Sequence, residues 1–297
     1  MTEASRQTIS YLSKRLSDVG IEPNHRYGQN FLVDMNMLDF IAHQAEIKPD
    51  DVVLEVGAGT GSLTSRLAAQ AWHVVSVEID TRMHQIASEE LARFSNVSLL
   101  RLDALSSKHE IDSQVAEAVG EYLAGGVRRL LLVANLPYHV ATPLLTNLLV
   151  WKHVPQSMTV TIQKEVGERL FASPSTPDYG ALSVFVQALC DGQVLRVLPP
   201  SVFWPKPKID SAVVRIVPNP EKRRRVGDVL AFQEFIRSAF AHRRKMLRGV
   251  LSSSLQAGVK KDQLDSAFSQ IGIAPTARAE EVEVLQWIEL FHALRPT

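Results

Sequence analysis

The fold is decided by the stretch Val52-Val53-Leu54-Glu55-Val56-Gly57-Ala58-Gly59-Thr60-Gly61. Its first half is a short apolar run rich in β-branched residues, which is typical of a strand buried on both faces of a sheet. Its second half has a glycine at every other position, and a helical pattern begins directly afterwards. Glycine allows a tight turn and a close approach of backbone to ligand at the start of a helix. The stretch therefore predicts a strand, a ligand-binding turn and a helix, in that order.

Outward from this stretch, short apolar runs recur with helical segments between them, at residues 74–78, 97–102, 130–134 and 158–162. This alternation predicts a mostly parallel sheet covered by helices on both faces. Residues 182–189 and 212–217 resemble two further strands. Because little more than the Pro199-Pro200 region separates them, we expect them to form an antiparallel edge.

The chain changes character at Pro218-Asn219-Pro220, which breaks the pattern of strands. From residue 229 to residue 294 only helical periodicity is found. The sequence thus predicts an α/β domain that ends near residue 217 and a small helical domain after it.

The net charge of zero hides an uneven distribution. Of 297 residues, 32 are Lys or Arg and 32 are Asp or Glu. Residues 206–261 carry a net charge of +10, against −6 for residues 1–205 and −4 for residues 262–297. The basic segment contains Lys222-Arg223-Arg224-Arg225 and Arg243-Arg244-Lys245 with Arg248. Such clusters can neutralise phosphates, although a solvated helix face has a similar composition.

Several classes of protein are excluded by composition. The apolar runs are too short to cross a bilayer, and the first residues lack the apolar region of a signal peptide. The single cysteine, Cys190, rules out an intrachain disulfide and fits a reducing compartment. We therefore expect a cytoplasmic protein that has no contact with a membrane.

Acidic residues follow the second and third predicted strands, at Glu78 and Asp103. Ligands of open α/β sheets bind outside the carboxyl ends of the strands, where a carboxylate about 20 residues after the glycine turn accepts from ribose hydroxyls. Together with Gly57 and Gly59, these residues predict a nucleoside site. The spacing departs from the dinucleotide pattern G-x-G-x-x-G, which favours S-adenosylmethionine over NAD as the cofactor.

The fourth predicted strand is followed by Asn135-Leu136-Pro137-Tyr138. An aromatic amino group such as adenine N6 is a poor nucleophile because its lone pair is delocalised into the ring. Two hydrogen-bond acceptors, the Asn135 side-chain oxygen and a backbone carbonyl at Leu136 or Pro137, would favour a tetrahedral nitrogen. Tyr138 would offer a face for stacking of a flipped base. Transfer from a sulfonium needs no metal, and none is expected.

On these motifs the chain resembles the bacterial small-subunit ribosomal RNA adenine dimethyltransferases, also called kasugamycin-resistance methyltransferases. The resemblance extends from Tyr27 to Leu290. It is carried by the glycine turn, by residues 135–138 and by further matches at residues 27–32, 163–166, 179–183, 199–215 and 239–247.

The resemblance implies a Rossmann-like class I methyltransferase domain with a seven-stranded sheet, at residues 25–217. A helical leader at residues 1–24 and a helical RNA-binding domain at residues 218–297 would flank it. It further implies two methyl transfers from S-adenosyl-L-methionine to N6 of each of two adjacent adenosines. These adenosines lie in the 3′-terminal hairpin of the small-subunit (16S) rRNA of the immature subunit. A monomer is expected.

The resemblance also assigns roles to residues. The cofactor contacts carried over are Asn30, Leu32, Gly57, Glu78, Asp103 and Asn135. Tyr138 and Phe203 become the pair of aromatics that stack on the base, and a hydrophobic plug under its loop is the alternative interpretation of Phe203. The residues expected to contact RNA are Lys206, Lys208, Arg223, Arg224, Arg243, Arg244, Lys245 and Arg248.

Three other readings share part of this chemistry. Large-subunit rRNA methyltransferases that confer macrolide resistance have the same loop, but residues 210–213 and 243–245 fit the small-subunit branch better. Protein glutamine methyltransferases activate an amide nitrogen with a similar loop and lack a basic helical appendage. A non-catalytic binder of the immature subunit remains open as an additional role, and the intact loop argues against the loss of catalysis.

Overall fold

The strand Val52–Val56 lies at the centre of a sheet, and all five of its residues are buried. The computed structural model describes residues 30–242, 245–254 and 261–294. The expected leader at residues 1–24 and two of the basic residues, Arg243 and Arg244, lie outside the described residues. No helix in the described ranges has the length and apolar character needed to cross a membrane.

The strands in the described part of the chain define the sheet around Val52–Val56. In chain order they are β1 (Phe31–Leu32), β2 (Val52–Val56), β3 (His73–Val77), β4 (Val97–Leu100), β5 (Leu105–Ser107), β6 (Glu110–Ile111), β7 (Leu130–Asn135), β8 (Ser157–Gln163), β9 (Cys190–Leu198), β10 (Phe203–Trp204) and β11 (Ser211–Pro218). Seven of them form one sheet in the order β4-β3-β2-β7-β8-β11-β9. Strands β4, β3, β2, β7 and β8 run parallel, and β11 runs antiparallel to β8. The predicted sheet, mostly parallel with an antiparallel edge, is confirmed.

The strand order reverses between β2 and β7. From β2 the chain proceeds through β3 and β4 on one side, and β7 and β8 add on the other side. At such a switch point the loops that leave the two central strands diverge and open a crevice. The glycine turn after β2 and the end of β7 border this crevice, so the topology alone brings both predicted functional motifs together.

The helices connect and cover the strands. In chain order they are α1 (Met35–Gln44), α2 (Ser62–Ala68), α3 (Thr81–Leu91), α4 (Ser113–Leu123), α5 (Tyr138–Val150), α6 (Lys164–Leu170), α7 (Ala181–Leu189), α8 (Pro220–Val226), α9 (Val229–Ala239), α10 (Leu247–Ser254), α11 (Lys261–Ile271) and α12 (Val284–Ala293). Asp34 and Asp80 cap α1 and α3 by accepting hydrogen bonds from backbone N–H groups of the first turn. The cap at Asp80 also fixes the chain directly after Glu78, a predicted site residue.

One predicted strand is wrong. Residues 182–189 belong to helix α7, and the edge strand β9 begins only at Cys190. A continuous apolar run of eight residues fits a buried helix as well as a buried strand, and periodicity does not separate the two. The true strand carries Asp191 and Gly192, which are unfavourable in strands and concealed it.

The chain divides into two compact units. The first unit consists of the chain up to Gly167 together with Gly192–Val217. The second unit consists of Glu168–Asp191 and the chain from Pro218 onward. The second unit thus includes α7 from the middle of the chain. The predicted domain ranges, which divide the chain at residue 217, differ from this partition at residues 168–191 and stay a prediction.

Aromatic residues form the core of the second unit. The Trp287 ring is fully buried and lies 6.0 Å from the Phe235 ring, and Phe291 lies 5.6 Å from Phe235. The Tyr179 hydroxyl donates to the Val282 carbonyl at 2.8 Å. This bond joins the segment at residues 168–191 to the C-terminal helices within the unit, and burial raises the pKa of Tyr179 far above its ordinary value.

A buried carboxyl group lies under the glycine turn. Glu55 is 1% exposed in β2, and its Oε2 atom accepts hydrogen bonds from the Thr64 hydroxyl at 2.5 Å and the Ser76 hydroxyl at 2.6 Å. These bonds connect β2 to α2 and β3. Burial raises the pKa of Glu55 to about 7, although both hydroxyl donors oppose the shift.

We predict that Glu55 makes the stability of the protein depend on pH. The folded-state pKa of about 7 lies above the ordinary value of 4.5, so the folded protein prefers the protonated form. The contribution of Glu55 to the free energy of unfolding is therefore fully present below about pH 4.5. It is lost as pH rises through about 7, and the total loss is about 3 kcal/mol. The substitution Glu55→Gln keeps an acceptor for both hydroxyls and removes this loss.

The measurement is denaturant unfolding of wild type and Glu55→Gln at pH 5 and pH 8. The gain in unfolding free energy from the substitution should be larger at pH 8. Glu117→Gln, at an exposed position in α4, serves as the control. An equal effect of Glu55→Gln at both pH values would show that Glu55 does not titrate in this window.

Candidate nucleoside and methyl-transfer site

A cavity lies at the carboxyl ends of β2, β3 and β7, within the first unit. Its walls contain most of the predicted cofactor and catalytic residues. The lining residues are Asn30, Phe31, Val56, Gly57, Gly59, Val77, Glu78, Ile79, Leu102, Asp103, Ala104, Asn135, Leu136, Pro137, Tyr138, His139 and Val140.

The glycine turn forms one wall with its backbone. Gly57 has φ +88° and Gly59 has φ +56°, a region that side chains disfavour. A Cβ atom on Gly57 would lie 3.3 Å from Cδ of Pro137, and one on Gly59 would lie 3.3 Å from the Phe31 ring. The turn therefore needs glycine both for its conformation and for its close approach to the neighbouring loops.

Glu78 is fixed at the end of β3 by two backbone donors. Its Oε2 accepts from the Gly59 N–H at 2.8 Å and its Oε1 accepts from the Asp80 N–H at 2.9 Å. Glu78 is 6% exposed, and burial raises the pKa of its carboxyl group. Each carboxylate oxygen has a second lone pair, so the group can accept from ligand hydroxyls without losing these bonds.

Asp103 lies on the cavity wall after β4. Its Oδ1 accepts from the Leu105 N–H at 3.0 Å, and the residue is exposed. The carboxylate thus shapes the local turn and faces the cavity as well.

Asn135 is the last residue of β7, and its side-chain amide has a defined orientation. The Nδ2 atom donates to the Asn30 carbonyl at 3.0 Å. Because a carbonyl only accepts, this bond places the amide nitrogen against Asn30 and leaves Oδ1 as the acceptor end. The contact also explains why Asn30 belongs to the site through its backbone.

The two candidate carbonyls for the second acceptor differ. The Pro137 carbonyl accepts from Val140 N–H at 2.9 Å and Ala141 N–H at 3.2 Å, because it opens helix α5. Leu136 is anchored by its own N–H, which donates to the Thr161 carbonyl at 3.0 Å. The Leu136 carbonyl is therefore the better candidate for an acceptor toward a ligand.

Tyr138 is held at its far end by a residue that sequence reasoning did not single out. Its hydroxyl lies 2.8 Å from the Ser211 hydroxyl, and either can donate. Burial raises the pKa of the half-buried Tyr138. Ser211 appears in the sequence only as part of a longer match, and no local pattern connects it to Tyr138.

Two predicted site residues do not line the cavity. Leu32 is 6% exposed and Phe203 is 1% exposed, and both belong to the hydrophobic core that contains Ile41 and Val213. They lie opposite each other in the β1–β10 pair. Neither residue is among those that line the cavity, both pack in the core, and their predicted roles stay predictions.

Most of the cavity-lining residues that were not predicted from the sequence are apolar. Phe31 and Ile79 flank predicted residues, with Ile79 directly after Glu78 and 46% exposed. The signal was their place at strand ends, but apolar residues there do not differ from core residues in the sequence.

The predicted RNA-binding residues fall into three groups. Lys206, Lys208 and Lys245 are exposed. Arg224 and Arg248 are engaged in ion pairs with Glu221 and Asp265. Arg223 is half-buried, and Arg243 and Arg244 lie outside the described residues.

Comparisons with known proteins find relatives along nearly the whole chain. The family model described as ribosomal RNA adenine dimethylase matches residues 21–295. Ribosomal RNA small subunit methyltransferase A of Bacillus mycoides (strain KBAB4) is 39% identical over 269 residues, which is 90% of this chain and 89% of the relative. The protein of the same name from Geobacillus thermodenitrificans (strain NG80-2) is 37% identical over 95% of this chain and 94% of its own length.

Solved structures give the same fold. A dimethyladenosine transferase from Plasmodium falciparum has a TM-score of 0.69 at 22% identity, over 86% of this chain and 94% of its own. The 23S rRNA methyltransferase ErmE has a TM-score of 0.63 at 25% identity, over 89% of this chain and 99% of its own. The family model spans nearly the whole chain, and this chain belongs to the ribosomal RNA adenine dimethylase family.

Proposed function

We propose that the protein dimethylates N6 of two adjacent adenosines in the 3′-terminal hairpin of small-subunit (16S) rRNA, with S-adenosyl-L-methionine as methyl donor. Relatives at 37–39% identity are named ribosomal RNA small subunit methyltransferase A. The observation that carries the proposal is the Asn135 amide, whose nitrogen is engaged by Asn30 and whose oxygen is thereby offered as an acceptor. Subunit biogenesis would place the enzyme in the cytoplasm.

The cavity fits the nucleoside part of the proposed donor. Gly57 and Gly59 present bare backbone on the cavity wall, where a Cβ atom would press against Pro137 or Phe31. Glu78, held by two N–H donors, would accept from the ribose hydroxyls, and Asp103 would accept from the adenine amino group. When bound, S-adenosylmethionine supplies an electrophilic methyl group on a sulfonium, from which a neutral thioether departs.

The chain's own residues would activate and hold the target base. Asn135 Oδ1 and the Leu136 carbonyl would accept hydrogen bonds from the N6 hydrogens, which favours a tetrahedral nitrogen with an available lone pair. The ring of Tyr138 would stack on the flipped base. Two fixed acceptors replace a general base of matched pKa.

We predict that Asn135→Ala lowers the methylation rate by about 100-fold or more, the range for the loss of one preorganised polar group at a reaction centre. Asn135→Asp should also fail, because a carboxylate has no hydrogen to donate to the Asn30 carbonyl. Cofactor binding should survive, weakened, in Asn135→Ala. Transfer of labelled methyl groups to undermethylated small subunits and calorimetric titration with cofactor measure the two effects. Full turnover by Asn135→Ala would remove the basis of this mechanism.

We predict that Glu78→Gln weakens cofactor binding by roughly 10- to 100-fold, the effect of one lost hydrogen bond to a charged acceptor. The amide nitrogen of Gln would face either the Gly59 N–H or the Asp80 N–H, both of which are donors. Calorimetry with S-adenosylhomocysteine gives the dissociation constant, with Glu117→Gln as the control of equal charge change. Wild-type affinity in Glu78→Gln would show that the nucleoside does not bind at this carboxylate.

We predict that replacing Arg243, Arg244 and Lys245 with Ala flattens the salt dependence of RNA binding. The slope of log K against log salt should decrease by roughly 2 to 3, because each phosphate contact contributes about 0.7 to 0.9. The control replaces three exposed lysines of the first unit, Lys48, Lys108 and Lys152. It removes the same charge and should leave the slope closer to that of the wild type. The same slope in both triple variants would locate the RNA surface elsewhere.

One assay separates this proposal from methylation of the large subunit. The protein is incubated with labelled cofactor and either undermethylated small subunits or naked large-subunit rRNA, and the modified base is mapped. Label on two adjacent adenosines of the small subunit supports the proposal. Label on the large-subunit RNA alone would favour the chemistry of the ErmE-like neighbour.

A further inference from the structure

The hydroxyl of Tyr138 is directed to the sheet, away from a role on the base. Tyr138 opens helix α5 on the cavity wall, and its hydroxyl lies 2.8 Å from that of Ser211. A hydroxyl engaged in this way leaves the ring face as the part of Tyr138 that a base can contact. The long axis of the ring, from Cβ to the hydroxyl, is then held at both ends, by the backbone of α5 and by Ser211.

Ser211 is well suited to serve as a fixed anchor. It is fully buried and is the first residue of β11, where it pairs with Gln163 of β8. Directly before it, the Asp210 carbonyl accepts from the Lys164 N–H at 3.0 Å. The Ser211 hydroxyl thus belongs to the rigid sheet, although it follows directly on the loop that carries Lys206 and Lys208.

A tyrosine ring held only at its Cβ atom can swing about χ1 and carry its far end away from the site. Stacking needs the ring to stay over the base, and transfer needs N6 to stay at the two acceptors near Asn135. Displacement of a reacting group by about 1 Å can cost up to 100-fold in rate. The rigid support of a contact residue therefore contributes to the rate without touching the substrate.

From this geometry we infer that Ser211 is a positioning residue for methyl transfer, which holds the ring of Tyr138 in place against the target adenine. The inference rests on the proposed function. A hydrogen bond that served folding alone would change the melting temperature and leave the rate of the folded enzyme unchanged. A positioning bond changes the rate at saturating cofactor and leaves the KM for cofactor in place.

The test is a double-mutant cycle on the full chain. Ser211→Ala, Tyr138→Phe and the double variant are compared with wild type in single-turnover methylation of undermethylated small subunits. Both single variants should lower the rate constant by about five- to tenfold, the effect of one neutral hydrogen bond. The double variant should lose no more than the worse single variant, because each change breaks the same bond.

Two further variants separate positioning from folding. Ser211→Thr keeps a hydroxyl and should recover most of the rate. Ser157→Ala removes another buried hydroxyl at the far end of β8, one that makes no hydrogen bond among the described residues, and should keep the wild-type rate. Melting temperatures are recorded for all variants. If Ser211→Thr does not fold, the cycle with Tyr138→Phe decides alone.

The outcomes are distinct. Wild-type rate constants in Ser211→Ala and Tyr138→Phe, or losses that multiply in the double variant, would overturn the inference. A loss in Ser157→Ala as large as that in Ser211→Ala would assign the effect to folding and overturn it as well. Failure of the wild-type enzyme to methylate small subunits would instead overturn the proposed function, together with the inference that rests on it.

Discussion

The backbone of Gly57 lies against the ring of Pro137, and the site depends on this approach. A Cβ atom at Gly57 would stand 3.3 Å from Pro137 Cδ and 3.6 Å from the Asn135 carbonyl oxygen. The turn after β2 is thereby packed on the loop after β7, across the switch point of the sheet. One of these loops belongs to the predicted nucleoside site and the other to the predicted acceptor site. Only a residue without a side chain lets them meet at van der Waals distance.

Polar groups keep this packed arrangement in one geometry. The Gly57 and Ala58 N–H groups donate to the Val77 carbonyl, and Gly59 donates to Glu78. Glu55 lies beneath the turn with a pKa raised by burial, which costs stability at neutral pH. The hydrogen bonds of Glu55 to hydroxyl groups on α2 and β3 connect these two elements to β2.

Much of the site could be predicted because it lies at strand ends. Strand ends are visible in the sequence as transitions from apolar runs to Gly, Glu, Asp or Asn, and the parallel topology brings them together. Contacts between distant segments have no such signal. The Tyr138–Ser211 bond joins residues 73 positions apart, and the burial of Phe203 follows from its pairing with Leu32. Helix α7 could not be predicted for a related reason. A short apolar run is compatible with a buried helix and with a buried strand, and the choice depends on contacts with distant segments.

The positive charge available to RNA is smaller than the sequence count suggests. Residues 206–261 carry a net charge of +10, but Arg215 and Arg248 each pair with a carboxylate that this sum does not include. Exposed ion pairs contribute little stability, yet they reduce the field that a phosphate experiences. In Arg215 and Arg248 the partner carboxylate lies outside the basic segment, at Glu46 and Asp265. The acidic segments therefore neutralise part of the basic one locally, whereas Lys206, Lys208 and Lys245 are exposed.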